Sequence, residues 1–263
     1  MALQRRLLDH LLATDPDGCF VAEDGGRVVG VALALRRADF WGLTLLNVAP
    51  DRQGQGIGRR LLQATLSYGE ACARGLILSS RDPGAMRRYA LAGFQLHPIV
   101  KATGTVHRPP PAQPGIRDGT TQDLDLVDTV NAGLRGAGHS VDLKPLLADG
   151  DGQLLVADTA SGQGYAVLDI DSDVLLLGAT DAPTAQALLA AALRQAGDEA
   201  DVGHLTAEQG WAVPVVLAAG LAATKGTRVL AGVCATLAIP AVRRAAVVDD
   251  RSASAEVGVA SDT

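Results

Sequence analysis

Residues 48–58 read Val48-Ala49-Pro50-Asp51-Arg52-Gln53-Gly54-Gln55-Gly56-Ile57-Gly58. An apolar run from Leu43 to Val48 leads in. Behind the glycines, Ile57, Leu61, Ala64, Tyr68 and Cys72 recur on one helical face. The stretch therefore joins a buried strand to a helix start. A helix start offers unpaired backbone N–H groups and a partial positive charge. Glycines let a phosphate approach those groups closely. The physical reading is an anion cradle suited to a diphosphate.

Three phosphate-loop patterns compete for these residues. A Walker loop needs Gly-x-x-x-x-Gly-Lys-Ser/Thr, and no lysine lies near. A dinucleotide fingerprint, Gly-x-Gly-x-x-Gly, fails because Arg59 or Leu61 stands at its last position. Gln/Arg-x-x-Gly-x-Gly/Ala is filled by Gln53, Gly56 and Gly58. Downstream, Gly75–Ser80 is a second apolar strand. Asp82-Pro83 signals an N-cap with proline at the first helical position. The helix predicted from there runs to Ala92, and Gly93 closes it. Tyr89-Ala90-Leu91-Ala92-Gly93-Phe94 then fits Tyr-x-x-x-Gly-Phe. With both motifs in this order, residues 14–100 resemble the GNAT superfamily of N-acyltransferases. Asp82, where that family often has asparagine, and Arg88, where an apolar residue commonly precedes the tyrosine, depart from its pattern.

The resemblance implies transfer of an acetyl group from acetyl-CoA to a primary amine, with no metal. It places Gln53, Gly54, Gly56, Ile57, Gly58 and Arg59 at the diphosphate. It places the main chain of Leu46 and Val48 along the pantetheine arm. Tyr89 becomes the general acid that protonates the leaving thiolate, since a phenol keeps its proton at neutral pH. The general base stays open among Glu23, Asp39, His97 and an ordered water. The same residues also suit a non-catalytic acyl-CoA sensor or a protein-interaction scaffold. The expected partner is a small-molecule or peptide amine, and a homodimer is allowed.

The 263 residues leave room for one large or two average domains. Hydrophobic residues make up 48% and aromatic ones only 3%, so the core is built from Leu, Val and Ala. A formal charge of −6 argues against a nucleic-acid surface. No apolar stretch reaches the ~20 residues of a membrane span. The start lacks the features of a secretory signal, which points to the cytoplasm. Cys19, Cys72 and Cys234 sit in apolar settings and read as core residues.

Pro109-Pro110-Pro111-Ala112-Gln113-Pro114 reads as an extended linker. After it the first half's order restarts: a helix over 118–133, a hairpin over 153–170, a strand over 174–179, a helix over 183–196, a strand over 202–205, a helix over 208–219 and a strand over 228–234. The first half reads as a helix over 3–12, a hairpin around 23–26, strand 43–48, helix 57–73, strand 75–80 and helix 83–92. The fold class is therefore α/β with mixed sheets, in two tandem GNAT-like domains: 1–108, a linker at 109–114, 115–242, and a flexible tail at 243–263. The second half has Ala179-Thr180-Asp181-Ala182-Pro183 in place of the glycine loop and Val216 in place of the tyrosine, so it is expected to be degenerate. The first half lacks the initial strand and helix that open the second. Either the numbered start is internal to a longer protein, or another segment covers the sheet edge this leaves.

Overall fold

The structure is a computed structural model describing residues 2–148, 150, 152–169, 173–196, 199–234 and 256–259. It divides into two compact units, residues 1–96 with 231–263, and residues 97–230.

The first unit opens with α1 (Ala2–Thr14) and a 3-10 turn at Pro16–Gly18. The strands β1 (Cys19–Asp24), β2 (Arg27–Arg37) and β3 (Phe40–Val48) form an antiparallel meander. Gly25 and Gly26 turn the β1–β2 hairpin at φ +58° and +77°, angles glycine adopts without penalty. A 3-10 turn at Pro50–Arg52 and the glycine loop lead into α2 (Ile57–Tyr68), followed by β4 (Arg74–Ser80) and α3 (Pro83–Leu91). α2 buries Ile57 and Leu61 against Ala22, Val29 and Ala32. Further along, Leu62 joins Trp41, Leu43, Ile77, Tyr89 and Phe94. α2 ends at Tyr68, before the predicted residue 73, with Gly69 as its C-cap, and Gly69 passes so close to Trp41 that any Cβ there would overlap the indole. Asp15, only 1% exposed, locks the far end of this unit. Its carboxylate accepts from Arg37 Nη1 at 2.8 Å, Tyr68 Oη at 2.9 Å and the Arg36 N–H at 2.8 Å.

β5 (Gln95–Gly104) pairs antiparallel with a strand of the second unit, and from His97 on it belongs there. The unit boundary thus falls at residue 96, where the sequence expectation put it at the prolines 109–114. Cross-strand hydrogen bonding, not composition, assigns residues 97–104. The second unit continues with β6 (Ile116–Asp118), α4 (Leu124–Arg135), α5 (Ser140–Ala148), β7 (Gly152–Thr159), β8 (Gly162–Asp169), β9 (Val174–Ala179), α6 (Ala182–Gln195), β10 (Ala200–Leu205), α7 (Ala212–Ala219) and β11 (Ala222–Cys234), of which residues 222–230 belong to this unit. Its strands run in the order β5-β10-β9-β8-β7-β6. The predicted helix starts at 118 and 208 shift inward. In both places a threonine, Thr120 or Thr206, first forms a capping box around a 3-10 turn.

Element order confirms the missing opening of the first unit: α1 corresponds to α5, and β6 and α4 have no earlier counterpart. The open edge of β1 is taken by β12 (Glu256–Val259), antiparallel, with Phe20 opposite Val259 and Glu23 opposite Glu256. β6 pairs antiparallel with β7 in the matching place of the second unit. Residues 256–259 are thus a strand, where the sequence expectation was a flexible tail. The rest of the expected tail, 243–255 and 260–263, lies outside the described residues.

Candidate functional site

β3 and β4 run parallel, but their ladder holds only from Phe40 opposite Arg74 to Leu43 opposite Ile77. The next residue, Thr44, is an extra residue against β2, which pairs Leu33 with Leu45 and Ala34 with Leu43. Its hydroxyl donates to Leu33 O at 2.9 Å. Such a bulge bends its strand and raises its twist. The β3–β4 ladder accordingly stops at the bulge, and residues 44–48 have no partner on β4 among the described residues.

The Ala49 N–H bonds Val29 O at 2.8 Å, which sets the phase of the β2–β3 ladder. By the two-residue period, Leu46 and Val48 turn their main-chain groups away from β2, to the side where β4 has departed. Both residues singled out from the sequence therefore offer main-chain groups to the cleft. Val48 O already accepts from Gln53 Nε2 at 3.2 Å. Gln53 thus braces the loop against the strand end. Arg27–Asp51 at 3.2 Å and Asp24–Arg52 at 3.0 Å tie the β1–β2 hairpin to the same turn.

Gly54 and Gly56 have φ +79° and +82°, with open space where a Cβ would stand. Gly56 caps α2 without any side-chain hydrogen bond. The Arg59 and Arg60 N–H groups both bond Gly56 O, at 3.0 and 3.1 Å. The backbone donors left for an anion are therefore those of residues 54–58, one fewer than the expected span that ran to Arg59. Arg59 keeps an exposed side chain beside the loop. Ile57 is 6% exposed and anchors the first turn in the core, so that it contributes to the cradle through its main chain.

A Cβ at Gly58 would lie 3.4 Å from both Val48 Cγ2 and Arg88 Nη1. Gly58 therefore floors a narrow gap between the end of β3 and the half-buried guanidinium of Arg88, which has no ion-pair partner among the described residues. Arg88 was noted in the sequence only as a departure from a motif. Its neighbour at Gly58 is invisible without the fold.

α3 starts as the sequence predicts, with Asp82 Oδ1 accepting the Ala85 N–H at 2.7 Å. It ends on Gly93 at φ +95°, where the Phe94 N–H returns to Tyr89 O at 3.1 Å. Tyr89 is 5% exposed and meets Phe94 edge-on, with ring centroids 6.5 Å apart. Its hydroxyl makes no hydrogen bond among the described residues. Burial raises its pKa, Arg88 opposes that and Asp82 adds to it. A phenol so placed holds its proton at neutral pH.

The other candidates separate. Asp39 sits at the opposite end of β3 from Val48 and accepts the Ala73 N–H at 2.7 Å, a turn-holding role. Glu23 is exposed on β1, two strands from β4's partner. His97 lines a cavity of the second unit. Cys19 and Cys72 are buried with thiols raised by burial, which suits core residues. Cys234 lies in β11 and its side chain is outside the description. No group of three or more metal-ligating side chains occurs among the described residues. No helix among them is long and apolar enough to cross a membrane.

In the second unit the helix start is filled from within. Asp181 caps α6, accepting the Thr184 N–H and Thr184 Oγ1, each at 2.8 Å. Val216 takes the place of Tyr89: the Leu221 N–H returns to Val216 O at 3.0 Å, as Phe94 does to Tyr89.

The profile of the Acetyltransferase (GNAT) family matches residues 2–94. No curated protein matches the chain. Among solved structures, a candidate acetyltransferase of Pyrococcus horikoshii has a TM-score of 0.67 at 16% identity, covering 86% of this chain and 77% of that one. A GCN5-related N-acetyltransferase of Kribbella flavida has a TM-score of 0.57 at 19% identity, covering 88% of this chain and 64% of that one. A tandem GNAT protein from the clavulanic acid biosynthesis pathway has a TM-score of 0.51 at 18% identity, with 87% of each chain covered. At these identities the likeness bears on the fold. Residues 2–94 belong to the GNAT acetyltransferase family, in a chain with the fold of a tandem GNAT protein.

Proposed function

We propose that the first unit binds acetyl-CoA and transfers its acetyl group to a primary amine. The observation that carries this reading is the bare helix start at residues 54–58, uncapped by any side chain, at the mouth of the β3–β4 gap. The donors there fit a diphosphate, and the glycines leave the room it needs. Acetyl-CoA supplies an acyl group already activated as a thioester. The main chain of Leu46 and Val48 would orient the arm, and fixed orientation lowers the barrier by sparing reactant entropy. Arg88 and Arg59 would add positive charge at the diphosphate. Tyr89 holds a proton at its hydroxyl for the departing sulfur.

The amine is a small molecule or a peptide terminus. Asp181 puts a carboxylate where the second unit would need donors, so one coenzyme A binds per chain. Acetyl-CoA turnover over a panel of amines, with calorimetric titration of coenzyme A, tests the reading. A stoichiometry of two, or acyl-CoA binding with no turnover on any amine class, contradicts it.

A further inference from the structure

The second unit repeats the strand geometry of the first without its loop. β9 pairs with β10 only at Val174 opposite Val202, matching Leu43 opposite Ile77. The next residue, Leu175, is an extra residue against β8, which pairs Val167 with Leu176 and Leu168 with Val174. Thr44 and Leu175 are therefore the same bulge, each one residue past the last parallel pair. The Thr180 N–H bonds Gln163 O at 2.8 Å, which sets the phase of the β8–β9 ladder. By that phase Leu177 and Ala179 turn their main-chain groups away from β8, into the gap.

The gap holds a cavity of about 370 Å³, within the range of small-molecule sites. Val174, Leu177, Leu189, Val202 and Trp211 make most of its walls, and His97, His204, Thr206, Glu208 and Gln209 supply a polar side. β10 is itself bulged here: Val202 faces Ala102 and Leu205 faces Val100, so Gly203 and His204 together oppose one residue. His204 sits at φ +61°, a left-handed conformation rare outside glycine. Bulges of this kind re-aim a side chain and recur beside binding sites. Residues held in this region cluster at functional sites.

We infer that the β9–β10 gap is a second ligand site, for an uncharged aliphatic molecule carrying a secondary amide. Three features set that class. The walls are mostly apolar, so the body of the ligand is aliphatic. Leu177 presents an N–H and a C=O with no strand partner among the described residues, and an amide complements both as an added strand does. Asp181 occupies the helix start at the end of β9, so a phosphate finds a carboxylate where it would need donors.

Fluorine NMR on protein labelled with 5-fluorotryptophan reads the site directly. The chain has two tryptophans, Trp41 and Trp211, assigned by Trp211→Phe. The probe is N-acetyl-leucine N-methylamide, compared with N-acetyl-leucine and coenzyme A. The amide should shift the Trp211 signal saturably, and should do so equally in Gly56→Val, whose first-unit loop is disabled. Val174→Phe, which fills the gap, should weaken the amide at least tenfold. His204→Asn keeps a residue tolerant of positive φ while removing the imidazole, and should also weaken it in a protein that still melts cooperatively. The inference is overturned if the Trp211 signal does not saturate, or if the folded Val174→Phe and His204→Asn proteins both bind as the wild type does. A Trp211 shift from coenzyme A in Gly56→Val, at the concentration where the amide acts, overturns the uncharged class.

Discussion

Gly58→Ala separates the loop's role in binding from its role in folding. Gly54 and Gly56 are poor places to test it, because their positive φ makes any side chain strain the backbone by about 1–2 kcal/mol. Gly58 lies inside α2, and its added methyl would stand 3.4 Å from Val48 Cγ2 and Arg88 Nη1, ordinary contact distances. The fold should therefore gain, by roughly 0.5–1 kcal/mol, the usual preference for alanine over glycine in a helix. The melting temperature of the first unit should rise by a few degrees. Binding should move the other way. The methyl occupies the gap between strand end and guanidinium that a diphosphate must enter to reach the N–H groups. Losing even one hydrogen bond to a charged group costs about 1.5–3 kcal/mol, or roughly 10–150-fold in affinity. Calorimetry with coenzyme A, beside a thermal melt of the same sample, reads both signs at once. A Gly58→Ala protein that is folded and binds coenzyme A as tightly as the wild type would show that the diphosphate does not sit on this helix start.

Three further outcomes follow from the same geometry. Tyr89→Phe should leave coenzyme A affinity unchanged and lower kcat by about 10²–10⁴-fold, since only the proton donor is lost; equal kcat in stopped turnover assays would leave Tyr89 a packing residue. Arg88→Ala should weaken coenzyme A about tenfold or more and flatten the salt dependence of binding, measured as Kd against ionic strength; an unchanged slope would remove the guanidinium from the site. Burial would raise the Asp15 pKa, but its bonds from Thr14, Arg36, Arg37 and Tyr68 outweigh that and hold it below the ordinary 3.8. A lowered carboxylate stabilises the fold above the unfolded pKa and ceases to as pH falls through the folded one. Urea midpoints should drop below about pH 4, Asp15→Asn should flatten that limb, and Asp15→Ala should lose about 3–5 kcal/mol at neutral pH.

The glycine loop, the tyrosine helix and the repeated element order were legible because each is local: period, cap and turn residues sit within a few positions of one another. Arg88 beside Gly58 was not, because the 29 residues between them must fold before the two meet. The bulges at Thr44 and Leu175 leave no mark in composition, since either residue suits a regular strand. Gly69 reads as a glycine inside a long helix, and only the fold shows it as the C-cap of α2, packed against the indole of Trp41. The proline run invited a domain boundary, yet boundaries follow strand pairing, and Gln95–Gly104 pairs forward along the chain. Glu256–Val259 is too short, and too closely flanked by small residues, to announce a strand; its partner β1 defines it.

That last pairing gives the first unit an order of assembly. Roughly 230 residues separate β1 from β12, and at ~5–20 residues/s a ribosome takes about 10–50 s to make them. For that interval the nascent sheet carries a bare edge, the kind of surface on which neighbouring chains on a polysome pair with each other. Emergence of β12, rather than of the first hundred residues, is then the event that closes the sheet. Yield in cells should depend on synthesis rate and on holdase chaperones more steeply than the stability of the finished protein would suggest.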